Sequence, residues 1–358
     1  MNLQHYPYQL LAKWIADDPE AWIALGNIET RMLARNLLPV ASPVYVTGLA
    51  RAGTTILTEA IASHPEIATH TYRDFPCIFT PYIWNRLLGV FDWVPHRSAP
   101  QERAHKDGIM VTPQSPEAME EALWMAFFKQ LHDENHPAVL GPQTSNPAFA
   151  AFYREHIQKL LHVRKKPRYA AKANYNITRI AYILSLFPDA QFVIVVRHPE
   201  ALVWSLYQKD ILFCAEQERD PATLTHMDRA GHFEFGKHRT LIHTGDDAAI
   251  ASIQTCFADG DDIRAWARYW AMMHAYIKRV SSVSPNILIV RHEDLCQAPH
   301  AKMQEIFTHC QLDYNDAMLN ASAGNLREAK MPTLSEEVRA VICEETKSAA
   351  QAFDYSFR

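Results

Sequence analysis

The amino-acid sequence predicts an α/β fold in which a mostly parallel sheet is flanked by helices, with helical and loop insertions. Short strand-like runs alternate along the chain with segments of helical periodicity. This alternation indicates parallel pairing, because each intervening helix returns the chain to the same edge of the sheet. The runs at 191–196 and 286–290 are almost entirely apolar, as strands buried on both faces of a sheet are. A strand, loop and helix start near residue 50 complete the pattern.

This strand, loop and helix start is predicted for residues 43–55, PVYVTGLARAGTT. Gly48 and Gly53 allow a tight turn, so loop N–H groups and the positive end of the helix dipole can face an anion. The glycine spacing matches the Walker A pattern of P-loop NTPases, but Thr54 occupies the lysine position and Arg51 carries the positive charge instead. The segment predicts a P-loop-NTPase-like site for a phosphate-like group other than the γ-phosphate of ATP. An ordinary strand-to-helix turn is the structural alternative.

The chain length is that of one large domain or two small ones, and one domain spanning residues 1–358 is the favoured prediction. With 358 residues, 48% of them hydrophobic, the chain can bury a substantial core. Residues 1–40 have apolar positions at helical spacing and are predicted to form helices that pack on this domain. Residues 210–260 mix His, Asp, Gly and Thr with little periodicity, which favours a lid on the substrate side.

A loop, a helix start and two further strands are predicted between residues 66 and 172. A long proline-rich loop is predicted at 92–116, and loops of this length inside a compact chain often carry function. Ser115 and Pro116 have the residue types of a helix cap and a first helical position, so a helix is predicted to begin there. Further strands are predicted near 66–69 and at 169–172.

The net charge narrows the classes of partner. A formal net charge of −5 and a pI of about 6.4 argue against a general nucleic-acid-binding protein, whose surface would carry a basic excess. The six cysteines include no C-x-x-C pair, so neither a zinc knuckle nor a disulfide framework is indicated, and a reducing cytoplasm is the expected setting. No run reaches the roughly 18 apolar residues of a membrane helix, so we expect a soluble, cytoplasmic protein without a targeting segment.

A second anion site is predicted at the end of the buried strand 191–196. Arg197 follows this strand, and Ser205 lies eight residues later on the next helix, so both can hydrogen-bond one phosphate. Lys172 and Arg291 also end or follow predicted strands. Because ligands of open α/β sheets bind beyond the carboxyl ends of the strands, we expect the cradle, Lys172, Arg197 and Arg291 to face one crevice.

These motifs together resemble the sulfotransferases that use 3′-phosphoadenosine 5′-phosphosulfate (PAPS). The loop at 50–55 is similar to the family's 5′-phosphosulfate loop, with Ala52 in place of the usual serine. Arg197 and Ser205 match its 3′-phosphate site. The segment that begins at Lys172 resembles the one that carries a catalytic lysine in Golgi-type members, and VRHEDL near the last strand resembles a further family segment.

The resemblance covers about 42–75 and 168–310, and two features depart from it. The C-terminal segment around Arg327 and Lys330 lacks the family's tryptophan. Tyr72 lies near the sequence position at which tyrosylprotein members have the glutamate that serves as base. The resemblance implies a PAPS site that contains Arg51, Ala52, Gly53, Thr54, Thr55, Arg197, Ser205, Arg327 and Lys330.

The implied reaction is attack of an acceptor hydroxyl or amine on sulfur, with 3′,5′-ADP as the leaving group. Arg51 and Lys172 are expected to stabilise the negative charge that develops, with no metal required. The expected acceptor is a small molecule, a lipid or a saccharide. The alternatives are an atypical P-loop kinase, which the missing lysine disfavours, and a non-catalytic nucleotide-binding protein.

A base with a pKa near neutral pH is needed to take the proton from the acceptor. His105 is the first candidate and Asp74, which follows the predicted cradle helix, is the second; Glu121 and His70 come third. For any single histidine a packing or surface role is the more common one. The segment 132–136 resembles a zincin motif but is not interpreted as a metal site, because it lies at the end of a predicted helix just before a proline.

Overall fold

A computed structural model describes residues 9–91, 99–103, 108–282, 284–324, 326 and 331–357. Within this part of the chain, five strands form a parallel sheet in the order β2-β5-β1-β6-β7, and two short strands form a separate antiparallel hairpin, β3-β4. The strands are β1 (Val44–Thr47), β2 (Ile67–Ala68), β3 (Gln101–Glu102), β4 (Met110–Val111), β5 (Arg168–Lys172), β6 (Gln191–Val196) and β7 (Ile287–Arg291). The predicted α/β fold with a mostly parallel sheet is confirmed.

The sheet is flanked by helices, and its central strands are buried as their composition requires: every residue of β1 and β6 is buried. The helices are α1 (Gln9–Asp17), α2 (Pro19–Leu33), α3 (Thr54–Ala62), α4 (Pro81–Phe91), α5 (Glu121–Phe127), α6 (Pro147–Arg164), α7 (Ile180–Leu186), α8 (Pro199–Arg219), α9 (Pro221–Ala230), α10 (Asp247–Ala258), α11 (Asp262–Ser281), α12 (His292–Gln297), α13 (Pro299–His309), α14 (Asp316–Ala323) and α15 (Glu336–Gln351). None of these helices combines the length and the apolar character that crossing a membrane requires.

The strand order places the predicted anion-binding elements side by side. Strand β1 pairs with β5 on one side, where Val46 is level with Lys172, and with β6 on the other, where Thr47 is level with Ile194. The Thr47 hydroxyl donates to the Ala173 carbonyl at 2.7 Å, which ties the ends of β1 and β5 together. The chain segments that leave these three strands therefore emerge at one edge of the sheet.

The prediction that a helix starts at Ser115 is wrong in its starting residue. Helix α5 begins at Glu121. The Ser115 hydroxyl instead accepts a hydrogen bond from the backbone N–H of Thr112 at 3.0 Å, so it stabilises a turn and does not cap a helix. Pro116 forms an isolated antiparallel bridge with Thr71.

Residues 210–260 are more regular than their weak periodicity predicts. They comprise the end of α8, all of α9 and α10, and a connection between the last two. In the part of α8 that lies in this range, the buried residues are Asp210, Phe213 and Gln217, and because two of these three are polar the helical period is hidden in the sequence. In the described part of the predicted loop 92–116, β3 and β4 pair.

Two hydrophobic clusters fill the interior. The larger one surrounds the sheet, and the smaller one lies between α1, α2, α4, α5 and α6 and contains Trp22, Trp84 and Phe152. At the boundary of α2 and α6, the Lys159 ammonium lies 3.1 Å from a carboxylate oxygen of Glu29, and both side chains are fully buried. The N-terminal helices thus pack on the body of the protein through apolar contacts and one buried ion pair.

Candidate active site

The loop between β1 and α3 forms a cradle of backbone N–H groups. Arg51 and Gly53 both have positive φ, 70° and 103°, which turns the chain sharply before Thr54 starts the helix. A Cβ at Gly53 would collide with the ring of His292, so glycine is required there for space as well as for conformation. No side chain caps α3. Its first N–H groups have no partners within the helix and face outward from its positive end, which is the arrangement of an anion site.

The predicted second anion site lies directly against this cradle. The Arg197 guanidinium donates to the Arg51 carbonyl at 2.9 Å, and Arg51 Nε donates to the Ser205 hydroxyl at 3.2 Å. Trp270 on α11 donates to the Arg197 carbonyl at 3.2 Å and supports its backbone. The structure therefore brings Arg51, Arg197 and Ser205 together, although they are far apart in the sequence.

Strand β7 and helix α12 hold these parts in place. The Glu293 carboxylate accepts from the His198 backbone N–H at 2.9 Å and from the Tyr355 hydroxyl at 2.9 Å. The His292 ring packs against Gly53, and burial together with the nearby Arg197 charge lowers the pKa of His292 to about 4. His292 therefore lies neutral beside the cradle at physiological pH.

Lys172 ends β5 inside a cavity that opens beside the cradle. Its ammonium lies 3.5 Å from the Glu117 carboxylate, and both side chains are about nine-tenths buried. Burial opposes the charge on Glu117, but the Lys172 charge and a hydrogen bond from Tyr72 outweigh it and lower the pKa of Glu117 to about 2. The cavity lining includes these three residues together with Arg51 and Thr55.

His232 and Glu234 form the opposite wall of this cavity. His232 Nδ1 lies 3.8 Å from the Glu234 carboxylate, which accepts a hydrogen bond from the Asn174 side chain at 2.8 Å. Burial favours neutral His232, but the nearby Glu234 carboxylate and the charge of Glu117 raise its pKa above the ordinary value. This pair is a histidine oriented by a carboxylate, the arrangement used for proton transfer near neutral pH.

Arg103 adds a further cation to the cradle helix. It is buried, and its guanidinium donates to the Thr55 hydroxyl at 3.0 Å. It directly follows β3, in the segment that the sequence predicted as a functional loop. The cavity therefore meets the cradle at a surface with cations from three different elements: Arg51, Arg103 and Lys172.

Asp74 is placed outside this cavity, in a buried network. Its carboxylate accepts from the Arg164 guanidinium at 2.6 Å and from the Thr71 N–H at 2.8 Å. Burial opposes its charge, but a hydrogen bond from His70 and the Arg164 charge hold the pKa of Asp74 well below its usual range. A carboxylate so strongly stabilised is a weak base, and this geometry favours a structural role over the predicted catalytic one.

Two other candidates for the base, His70 and Glu121, also lie outside this cavity. His70 is buried and stacks on His156, and Glu121 forms a two-pronged ion pair with Arg179 at 2.7 and 2.8 Å. Neither residue lines the cavity beside the cradle. His105, Arg327 and Lys330 lie outside the described residues.

The zincin-like segment 132–136 has two histidines with different partners. His132 lies 2.7 Å from Glu121, whereas His136 lies 2.8 Å from Asp133. Among the residues that the structure describes, no cluster of His, Cys, Asp and Glu has the size of a metal site.

Sequence reasoning missed four residues of the cavity, and for different reasons. Glu117 was assigned to a predicted helix, and Arg103 lay in a loop with several other charges. His232 and Glu234 lie in the segment with little periodicity. A histidine two residues from a glutamate is too common a pattern to identify a site, so only the fold could show that it faces Lys172.

The fold is an α/β fold of the P-loop type, and its site combines a lysine-free loop before α3 with Arg197 and Ser205 beside it. A model described as the sulfotransferase family matches residues 43–231, more than half of the chain, and the protein belongs to this family. The fold and the family are those of a sulfotransferase enzyme. The match includes Arg51, Lys172 and Arg197 and ends one residue before His232.

Comparison with solved structures finds several sulfotransferases of low sequence identity. Sulfotransferase STF1 from Mycobacterium tuberculosis is 15% identical with a TM-score of 0.46, over 90% of this chain and 83% of that one. STF9 from Mycobacterium avium is 12% identical with a TM-score of 0.47, over 96% and 79%. The sulfotransferase domain of a Synechococcus olefin synthase is 14% identical with a TM-score of 0.40, over 90% and 98%. A comparison with curated proteins finds no match.

Proposed function

We propose that this sulfotransferase uses PAPS as donor and transfers its sulfuryl group to a hydroxyl of a small molecule, lipid or saccharide, with an amine as the alternative acceptor group. The observation that carries the proposal is the contact between the two anion sites. Arg197 donates to the Arg51 carbonyl, and Arg51 donates to Ser205. A nucleotide with one phosphate at the 5′ position and another at the 3′ position explains why two such sites adjoin.

The residues present fit this nucleotide in charge and in space. Arg197 Nε is buried and has no hydrogen-bond partner within the described part of the chain, which a phosphate oxygen would supply. At Gly53 the absence of a side chain lets the loop pack against the His292 ring, and no side chain caps the N–H groups at the start of α3, so these groups are available to an anion. Arg197 and Ser205 would hold the 3′-phosphate, and the loop from Arg51 to Thr55 the 5′-phosphosulfate.

When bound, PAPS supplies the sulfuryl group and 3′,5′-ADP as its leaving group. Lys172 and Arg51 lie at the junction of cradle and cavity and can stabilise the negative charge that develops on the leaving oxygen. Lys172 is held there by Glu117, which also keeps the charge of the cavity balanced before the donor binds.

His232 is our candidate for the base that accepts the acceptor proton. It faces the same cavity as Lys172, and Glu234 can hold its ring and stabilise the imidazolium that forms. Asn174, two residues after Lys172 at the end of β5, holds Glu234 in turn at 2.8 Å. The proton acceptor and the cation are therefore positioned by one segment of the chain.

A thermal-shift measurement tests the donor. Because a ligand that binds the folded state stabilises it by mass action, 3′,5′-ADP should raise the unfolding temperature much more than ATP with magnesium does. A ligand at about 100 times its Kd adds about 2.7 kcal/mol to the free energy of unfolding. Equal shifts, or a larger shift with ATP and magnesium, would contradict the proposal and favour a kinase or a nucleotide-binding protein without this reaction.

A further inference from the structure

A second cavity adjoins the candidate active site. Its volume is about 400 Å³, and it lies between α1, α5 and α9. The two cavities share three lining residues, Phe75, Met119 and Ala230. All three are apolar, and the polar side chain described beside them is His226, which lines the first cavity with its ring centroid 5.3 Å from that of Phe75.

The walls of the second cavity are also mainly apolar. Helix α1 contributes Ala12 and Ile15, which are buried, and α5 contributes Ala122, Met125 and Ala126. Four polar side chains also line it: Lys129, which is exposed, Arg229, His132 and Asp228. His132 is bonded to Glu121, and Asp228 to His238. A chain of methylene groups would be favoured on the apolar wall, whereas the hydroxyls of a saccharide would lose their hydrogen bonds to water there.

The first cavity is polar at the end that lies away from the second cavity. Lys172, Glu117 and His232 lie towards the cradle, while Phe75 and Met119 lie where the second cavity begins. An acceptor that fits both cavities must have its hydroxyl at one end and an apolar body at the other. This gradient distinguishes among the acceptor classes that the family allows.

We propose that the acceptor is an amphiphilic alcohol, whose hydroxyl lies among Lys172, Glu117 and His232 and whose alkyl chain passes Phe75 and Met119 into the second cavity. The inference rests on the proposed function for the position of the hydroxyl. The second cavity is then an acceptor subsite that sets the preferred chain length.

Calorimetric binding of n-butanol, n-hexanol and n-octanol to the full chain tests the subsite, with and without 3′,5′-ADP. Each methylene that enters an apolar cavity should tighten binding about fourfold. Octanol should therefore bind far more tightly than butanol. Trehalose, a disaccharide larger than octanol, serves as the saccharide probe and should not bind in competition with octanol.

Variants that fill the cavity give the sharper comparison. Ala126→Phe, or the milder Ala122→Leu, should weaken octanol binding by roughly tenfold or more and leave butanol binding within about twofold. Ala251→Phe, at an exposed position on α10, is the matched control and should change neither. Circular dichroism and the affinity for 3′,5′-ADP show whether each variant is folded.

The outcomes separate the two proposals. Affinity that does not depend on chain length, a chain-length dependence that survives both filling variants, or trehalose competing with octanol would each overturn the amphiphile subsite. If octanol behaves as expected but 3′,5′-ADP does not bind, the subsite stands and the PAPS proposal fails. With PAPS present, mass spectrometry should detect octyl sulfate in preference to butyl sulfate.

Discussion

Lys172 is the last residue of β5 and Arg197 directly follows β6, the two strands that flank β1, but the surroundings of the two side chains differ. Arg197 contacts the cradle loop and is largely buried, and its Nε lacks a hydrogen-bond partner within the described residues. Lys172 lies in the cavity and pairs with Glu117. The first position suits a permanent contact with a nucleotide phosphate, and the second suits a charge that appears during the reaction.

Arg197→Ala should therefore weaken 3′,5′-ADP binding, whereas Lys172→Ala should mainly lower turnover. Loss of a hydrogen bond to a charged group costs about 1.5 to 3 kcal/mol, or roughly 10- to 150-fold in affinity. Removal of one group that stabilises developing charge costs roughly 100- to 1,000-fold in kcat. Calorimetry with 3′,5′-ADP and steady-state kinetics measure the two effects.

Arg219→Ala, at an exposed position at the other end of α8, is the matched control for Arg197→Ala and should bind 3′,5′-ADP normally. Lys172→Ala leaves Glu117 unpaired, so Lys172→Met combined with Glu117→Gln separates charge imbalance from loss of the lysine. Full turnover in Lys172→Ala would show that the lysine has no catalytic role.

The pKa of His232 provides a test of the proposed base. Because the negative charge of Glu234 favours the imidazolium, Glu234→Gln should move the titration midpoint of His232 to lower pH. The acid limb of the rate profile should move in the same direction, since only neutral histidine accepts a proton. NMR titration of the His232 ring and the pH dependence of kcat/KM give the two readouts.

The exposed His238, on the same segment, supplies the control. His238→Gln should leave the acid limb in place, whereas His232→Gln should lower kcat by roughly 100-fold or more and remove that limb. An unchanged profile in His232→Gln would return the assignment to His105 or another group.

At the scale of elements, the segment 231–236 positions His232 and Glu234 through contacts at both ends. Gly231 packs against the side chain of Glu121, and the Gly236 N–H donates to the Asp210 carboxylate at 2.8 Å. Between them, the Phe233 N–H donates to the Tyr175 hydroxyl at 3.0 Å. The segment is therefore a fixed wall of the cavity in this structure, joined to α5, α8 and the turn after β5.

A second connection between elements joins Asp74, in the short helical turn after β2, to Arg164 at the end of α6. Arg164→Met should destabilise the protein by about 3 to 5 kcal/mol, because it leaves the Asp74 carboxylate buried without its cation. Asp74→Asn added to this variant should recover much of the loss, since no buried charge is then left. Urea unfolding of the single and double variants measures both values.

This contribution has a defined pH dependence. The pKa of Asp74 is lowered in the folded state, so its stabilisation is complete above the unfolded-state pKa of about 4. It is lost as the pH falls through the lowered pKa. Equal stabilities of the wild type and Arg164→Met at neutral pH would contradict the assignment of Asp74 to a structural ion pair.

At the scale of the whole molecule, the predicted single domain requires that the N-terminal helices and the sheet unfold together. The two hydrophobic clusters are linked by α5 and α6, whose residues belong to both. Tryptophans occur in each cluster, including Trp22 in the smaller one and Trp266 in the larger one. Fluorescence and circular dichroism therefore report on the same transition only if unfolding is cooperative.

Lys159→Met tests this cooperativity, because it leaves Glu29 buried without its partner and should cost about 3 to 5 kcal/mol. If the chain is one cooperative unit, both probes should show a single transition at the same, lower urea concentration. Glu29→Gln combined with Lys159→Met is the control and should move the midpoint back towards that of the wild type. Two separate transitions, with only one shifted, would indicate that the N-terminal helices form their own unit.

The sequence by itself determined the parts of this protein that depend on local signals. Apolar runs predicted β6 and β7 as buried strands. Every residue of β6 is buried, because this strand has neighbours on both sides, whereas β7 is the edge strand and only its Val290 is buried. The glycine pattern and the missing lysine predicted the cradle, because loop geometry and helix start are set within a dozen residues. Arg197 and Ser205 were found because both follow one strand at a fixed interval.

Only the tertiary structure decided which distant side chains share a cavity. It placed Asp74 with Arg164 and not beside the cradle, and it placed His232 opposite Lys172. Both outcomes depend on how loops and helices pack against the sheet, and no pattern of spacing along the chain encodes that packing. The loop before α3 is thus readable as a motif, whereas the proposed base and the proposed acceptor subsite depend on contacts between segments far apart in sequence.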